Sequence, residues 1–287
     1  MTERGAKLVG DKYETVLYDE YDGMAWVTLN RPERSNAFNQ TMQTELRDIW
    51  RGLRANDDVR VVVLTAAGDK AFCAGFDRKE AKVGPDQPEV YQEQQGFVGS
   101  TKYHFNDPGR NLGPKSCDLW KPVIAAVNGI ACGGAFYLLG EVEFIIAADH
   151  ATFFDPHVTM GRPASYEPMH MAGIMPFGDV MRMALMGSYE RITAHTARLM
   201  GMVSEVVAGD ELHNAALWCA SRIARLPSAA VEGTVRSLWA ARELGGRRAL
   251  DFGFAFVGLG TSDDLIAQST AGQPDFNSAA QIEWRSR

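Results

Sequence analysis

Two glycine-bearing loops are where chemistry could sit in this sequence. Cys73-Ala74-Gly75 follows an apolar run at 59–65. Asn128-Gly129 and Gly133-Gly134 follow a second apolar run at 122–127. A helix starting at such a glycine presents unpaired backbone N–H groups and a partial positive charge. Glycine there also lets a ligand approach the backbone closely. Two such loops, at the ends of adjacent parallel strands, can aim two N–H donors at one oxygen. That geometry is an oxyanion hole, worth roughly 3–4 kcal/mol per donor to a transition state. Taken singly, each loop reads more readily as tight strand-to-helix packing.

The flanking elements must hold these loops. Segments 14–20 and 24–30 alternate as strands and are joined by Asp22-Gly23, a hairpin signal. A polar loop, NRPERSNAFN, leads into a helix over 40–54, with Met42, Leu46, Ile49, Trp50 and Leu53 on one face. VRVVVLT at 59–65 reads as a strand covered on both sides. Residues 81–120 read as a partly helical insertion over a site. A strand at 122–127, a helix at 133–140 and a strand at Phe144–Ala148 then follow. This order predicts an α/β chain with a parallel sheet and right-handed crossovers. Beyond about 178 the pattern turns helical: a short helix at 193–200, a short strand at 202–207, and helices at 210–226 and 229–243. Pro227 ends the first of these long helices.

Composition narrows the function classes. With 46% hydrophobic and 23% charged residues in 287, the chain is an ordinary globular protein, neither disordered nor fibrous. A net charge of −7 argues against phosphate-backbone binding. The four cysteines lack CxxC spacing and read as reduced thiols of a cytoplasmic protein. The N-terminus has no apolar signal core. The most apolar stretch, 122–140, is interrupted by Asn128, Gly129, Gly133 and Gly134 and reads as buried strand, turn and helix rather than a membrane span.

Four segments, VTLNRPERSNAFN, VRVVVLTAAGDKAFCAGFD, KPVIAAVNGIACGGAFYLL and ITAHTARLMGMVSEVV, resemble the crotonase (enoyl-CoA hydratase/isomerase) superfamily in order and spacing. The resemblance covers about residues 13–260. It implies a spiral of ββα repeats with a helical C-terminal trimerisation region. The division would be a loose tail at 1–12, a spiral core at 13–190 carrying the thioester site, and a helical region at 191–287 for oligomerisation and site closure. It further implies an acyl-CoA substrate of the kind met in fatty acid metabolism, lyase or isomerase chemistry, and a homotrimer or dimer of trimers. No metal is implied, and coenzyme A enters only as part of the substrate. The backbone N–H groups of Cys73 and Gly134 would bind the thioester oxygen. Arg34, Asn36, Ala37, Ala71, Gly75 and Asp77 would line the CoA, with Arg31 nearby; Asp77 reads equally as a loop-fixing residue. The Cys73 thiol reads as a small apolar filler.

The sequence departs from the hydratase pattern where protons are handled. The first of the family's two glutamates stands three residues after the GG pair, which is Tyr137 here. The second, in a segment like FGQPE, aligns with His157 of FFDPH. The family's basic C-terminal segment is replaced by GQPDFNSAAQ at 272–281. A tyrosine of pKa near 10 would need a shift of about three units, about 4 kcal/mol, to serve as a base at neutral pH, so Tyr137 reads as a donor or general acid. His157, with a reference value of about 6.5, suits a base that activates water. Glu167 or Asp155 would orient it. The bland alternatives are a structural histidine after Pro156 and a core tyrosine. Glu141, one turn from Tyr137, and Glu143 read as solvated or ion-paired. His170 shares a helical face with Glu167, and His104, His150, His195 and His213 show no metal spacing.

Two further readings stay open. A hydrolase branch of the superfamily cleaves β-diketones by a retro-Claisen step and has a histidine at this place with a carboxylate about ten residues on. His157 with Glu167 fits that pattern. A non-catalytic acyl-CoA-binding role is the other. RNA binding, found in one branch, uses a lysine-rich helix; helix 40–54 has no lysine and carries Glu45 and Asp48.

Overall fold

The computed structural model describes residues 7–8, 12–79 and 107–260. The first expected spiral motif appears as two sheets. A seven-stranded sheet runs in the order β1 (Lys7–Leu8), β2 (Val16–Tyr21), β3 (Met24–Leu29), β4 (Val61–Ala66), β6 (Val123–Val127), β8 (Phe144–Ala148) and β11 (Glu205–Val207). From β3 to β11 every pairing is parallel, while β1, β2 and β3 are antiparallel. The β2–β3 hairpin turns at Asp22 and Gly23, both with positive φ. Of the expected N-terminal tail, Lys7–Leu8 pairs with β2, and the rest lies outside the described residues.

The second sheet was not foreseen. It runs β10 (Ile192–Thr193), β9 (Thr152–Phe154), β7 (Ile130–Cys132) and β5 (Ala71–Cys73). Each long strand, β4, β6 and β8, thus runs into a three-residue strand of this sheet. The segments AFC, IAC and TFF are too short to show alternation, and the first two lie within the stretches that read as glycine loops.

Alternation on the long strands explains their apolar runs. Val62, Leu64, Ala125, Val127 and Ala147 belong to the core that also contains α1 (Gln40–Leu53). Val61, Val63, Ile124, Ala126 and Ile146 face the other way, against Leu212, Ala215, Ala216 and Ala220 of the helix Leu212–Ile223. Each large side chain buried this way contributes about 1.5–3 kcal/mol. The sheet therefore runs across the expected 190/191 boundary, since β11 and that helix lie beyond it.

Asn39 caps α1 by accepting from the Met42 N–H at 2.9 Å. Trp50 of α1 donates to the Leu112 carbonyl at 2.8 Å, pinning the short helix α2 (Gly109–Leu112) of the expected insertion. The remainder of that insertion at 80–106, with His104, lies outside the described residues, as does 261–287 with its GQPDFNSAAQ segment. The helix after Gly133-Gly134 is α3 (Ala135–Leu139). Helices α4 (Tyr166–Ala172), α5 (Phe177–Met186), α6 (Ala194–Leu199), α7 (Leu212–Ile223), α8 (Ser228–Glu243) and α9 (Gly246–Gly260) follow. The sequence sets no bounds for α4 or α9. No helix among the described residues is long and apolar enough to cross a membrane.

Candidate active site

The two glycine loops meet face to face. A Cβ on Gly75 would sit 2.9 Å from the Gly134 nitrogen and 3.1 Å from the Cys132 carbonyl oxygen. Gly75 has φ +82° and Gly133 φ +52°, conformations that favour glycine. The Gly133 N–H donates to the Phe154 carbonyl at 3.2 Å, tying this turn to β9 and so to the residues that follow it. The Gly134 N–H donates to no backbone carbonyl among the described residues. Gly129 serves differently: a Cβ there would lie 2.6 Å from the Lys70 backbone, so that glycine is required for close packing. Asn128 donates to the Ala66 carbonyl at 2.8 Å and also to the Gly68 carbonyl, fastening the same turn. The Cys73 thiol is fully buried, and burial pushes its pKa up to about 12, so it stays protonated and inert.

β9 delivers Asp155, Pro156 and His157 beside this turn. The His157 Cε1 lies 3.6 Å from where a Gly133 Cβ would be. Its Nδ1 is 2.8 Å from Asp155 Oδ1, and its own backbone N–H donates to the same oxygen at 2.9 Å. Its Nε2 is 3.6 Å from Glu167 Oε1. The chain returns through a turn closed by Arg162 N–H to His157 O at 3.0 Å, with Gly161 at φ +72°, and enters α4 with Glu167 in its first turn. Both partners weighed for His157 are thus present, one on each nitrogen. Asp155 is completely buried, and its Oδ2 has no hydrogen-bond partner among the described residues. The Asp155 hydrogen bond, together with the Glu167 charge, raises the His157 pKa against an opposing effect of burial. Burial raises the Glu167 carboxyl above its ordinary range, with the His157 charge opposing. The donor atoms of Asp155, His157 and Glu167 all lie within 4.8 Å of one another, a spacing a divalent cation would also accept.

Tyr137 of α3 is buried. Burial first, then the charges of Glu167 and Asp107, push its pKa far upward. That keeps it neutral at every working pH. His170, one turn after Glu167, packs edge-on against the Tyr137 ring at 5.5 Å, and burial lowers its pKa. Asp107 is the residue sequence reasoning missed. It precedes Pro108-Gly109 without any motif and reaches the site only because Trp50 anchors α2.

The expected CoA-lining residues divide into scaffold and surface. Asn36, at φ +53°, donates to the Ala67 and Ala71 carbonyls at 2.9 and 2.8 Å and accepts the Arg31 N–H at 2.9 Å. Its side chain is therefore spent on the fold. Ala37 is buried and accepts from the Arg31 guanidinium at 2.6 Å. Arg31 also pairs with buried Asp77 at 3.0 Å. Phe38 and Phe76 form a parallel bridge, so these bonds hold 36–38 against 75–77. Arg34 is exposed at the rim. We expect Arg31→Leu to strand the Asp77 charge and cost about 3–5 kcal/mol, measured as a lower urea midpoint. An unchanged midpoint would mean that the pair holds nothing together.

Glu141 and Glu143 do not enter the site. Glu141 accepts from the Ser116 N–H at 2.7 Å. Glu143 pairs with Lys115 at 2.9 Å and accepts from Trp239 at 2.7 Å. A cavity of about 560 Å³ lies against Glu143, between Pro122, Phe144 and α8, and contains none of the proton-handling candidates.

A family model described as enoyl-CoA hydratase/isomerase matches residues 19–254. The chain is 34% identical to (E)-benzylidenesuccinyl-CoA hydratase of Thauera aromatica over 212 residues, 74% of this chain and 77% of that protein. It is 36% identical to carnitinyl-CoA dehydratase of Salmonella arizonae over 191 residues, 66% of this chain and 67% of that one. A crystal structure of an enoyl-CoA hydratase/isomerase from Mycobacterium paratuberculosis superposes with a TM-score of 0.78 at 30% identity. That superposition covers 91% of this chain and 96% of the other.

Proposed function

Because this chain belongs to the enoyl-CoA hydratase/isomerase family, we propose that it adds water to, or removes it from, an α,β-unsaturated acyl-CoA thioester. The observation that carries the reading is His157, braced by Asp155 on Nδ1 and facing Glu167 across 3.6 Å from Nε2, next to the paired glycine loops. Water chemistry, rather than isomerisation, is supported by the names of the two relatives, a hydratase and a dehydratase.

In this reading the thioester oxygen accepts from the N–H groups of Cys73 and Gly134. Charge grows on that oxygen as water attacks the β-carbon, so fixed donors favour the transition state over the bound substrate. His157 Nε2 takes a proton from the water. Asp155 on Nδ1 fixes the tautomer and steadies the imidazolium. Burial raises the Glu167 pKa, which favours the protonated acid able to deliver its proton to the enolate α-carbon. A proton passed from His157 to Glu167 then restores both groups. Tyr137 stays neutral throughout. The Arg34 rim and the bridged segments 36–38 and 75–77 would take the CoA. Phe177, Met181 and Leu185, one turn apart along α5, leave an exposed apolar stripe that fits the proposed trimer contact.

The test is direct. With crotonyl-CoA, the conjugated thioester absorbance falls and the product mass gains one water. The hydration rate passes through an optimum in pH, because His157 must be unprotonated while Glu167 holds a proton, and its alkaline limb lies above the ordinary histidine value of 6.5 because the His157 pKa is raised. A rate that stays flat on the alkaline side would remove His157 and Glu167 from the proton transfers. The Asp155–His157 pair also suits water attack on a ketone. Cleavage of a free β-diketone, with crotonyl-CoA untouched, would shift the assignment to retro-Claisen hydrolysis.

A further inference from the structure

The cavity of about 560 Å³ beside α8 has apolar walls and one cationic residue. Val142 and Phe144 form the wall at the start of β8, and Val231, Val235 and Leu238 of α8 form the opposite one. Leu238 remains 64% exposed on this wall, and Leu226 49%. Leucines left open to a concavity favour an apolar occupant that takes their surface from water. The volume falls inside the range of about 300–1,000 Å³ that small molecules fill.

The charged groups of the lining are in different states. Glu143 is the one carboxylate there, and both of its oxygens are spent. Oε1 accepts from Trp239 at 2.7 Å and pairs with Lys115 at 2.9 Å. Oε2 accepts from Lys115 at 3.1 Å and from the Val123 N–H at 2.5 Å. Arg242 is the cation of the lining, and it makes neither a hydrogen bond nor an ion pair among the described residues. Its guanidinium lies over the Trp239 ring at 4.4 Å, and its Nη2 lies 2.7 Å from where a Gly173 Cβ would be. The ring and the glycine hold the guanidinium in place without using its donors. A guanidinium fork matches a carboxylate through two parallel hydrogen bonds.

We propose that this cavity is a second ligand site, for an amphipathic monocarboxylate such as a medium-chain free fatty acid. Its hydrocarbon chain lies between Phe144 and the α8 valines, and its carboxylate sits on Arg242. The site does not rest on the hydratase reading. It contains none of His157, Glu167 or Tyr137, so its ligand does not compete for the thioester site.

The test is calorimetry with CoA-saturated protein and decanoate below its micelle concentration. One decanoate should bind per chain. Affinity should rise about three- to fourfold per methylene from hexanoate to decanoate, as burial of a CH2 predicts. Decanol, of equal length but uncharged, should bind about tenfold more weakly, the loss expected for a charge-assisted hydrogen bond. Arg242→Gln should bring decanoate down to the level of decanol and leave decanol itself unchanged. Val231→Trp fills the cavity and should abolish binding of both.

Absence of decanoate binding to the wild type overturns the proposal, and this arm needs no variant to fold. Displacement of decanoate by CoA overturns it too, because the acid is then in the thioester site. Equal affinity for decanoate and decanol removes Arg242 as the anchor. So does a parallel loss of both ligands in Arg242→Gln, which makes the arginine part of the wall. If the wild type binds neither ligand and Val231→Trp sediments as a smaller species than wild type, a second copy of the chain covers this face instead.

Discussion

His157→Gln should lower enoyl-CoA turnover about 10³-fold, within the range expected for a lost general base, and leave CoA binding in place. Glutamine is the better probe because Asp155 is completely buried. With alanine, that carboxylate would keep only the backbone N–H of residue 157 at 2.9 Å and lose its 2.8 Å partner on the ring. A stranded buried carboxylate costs several kcal/mol, and a loss of folding could be mistaken for a loss of catalysis. Glutamine can donate to Asp155 but offers no basic nitrogen. The measurements are kcat for crotonyl-CoA hydration, Kd for CoA by calorimetry and the thermal midpoint. Turnover within tenfold of wild type, with CoA still bound, would remove His157 from the chemistry and leave Glu167 as the candidate base. The alkaline limb of the pH profile should also fall toward the carboxylate range in this variant, since the raised His157 pKa is what holds it high.

How much of this arrangement could be read from the residues depended on element length. The run at 59–65 announced a buried strand because Val61 and Val63 face one core while Val62 and Leu64 face the other. Helix α1 announced itself through five apolar positions on one face. The second sheet did not, because three residues are too few to show a period of two, and it is this sheet that carries Cys73, Cys132 and Phe154 to the site. His157 was visible, but not which carboxylate would brace it. That depended on a turn at Gly161 bringing α4 back, so that Asp155 and Glu167 take opposite nitrogens. Asn36 looked like a ligand contact by position, yet its three hydrogen bonds go to the scaffold. Asp107 was illegible for a different reason. Its place is set by a contact between Trp50 and Leu112 that spans 62 residues of sequence, and no local pattern encodes that distance.

Gly75→Ala should be nearly as damaging as loss of the base, although it removes no reacting group. The added methyl would lie 2.9 Å from the Gly134 nitrogen and 3.1 Å from the Cys132 carbonyl oxygen, both backbone atoms that cannot rotate aside. The residue must also hold φ +82°, which costs a non-glycine about 1–3 kcal/mol. Either the Gly134 N–H moves away from its partner donor or the 75–77 strand moves away from 36–38, where Phe38 N–H donates to the Gly75 carbonyl at 2.8 Å. Both shifts spoil a pair of donors that must converge on one oxygen. Loss of one such donor lowers kcat about 10²–10³-fold. The infrared carbonyl band of a bound acyl-CoA separates this from general damage. The band should shift down in wild type, because the two N–H groups polarise the thioester, and stay near its solution position in Gly75→Ala. A folded variant that retains both turnover and the band shift would show that these loops do not hold the thioester oxygen. The same experiment on His157→Gln should leave the shift intact, because the donors are backbone groups fixed by the two sheets and do not depend on the histidine.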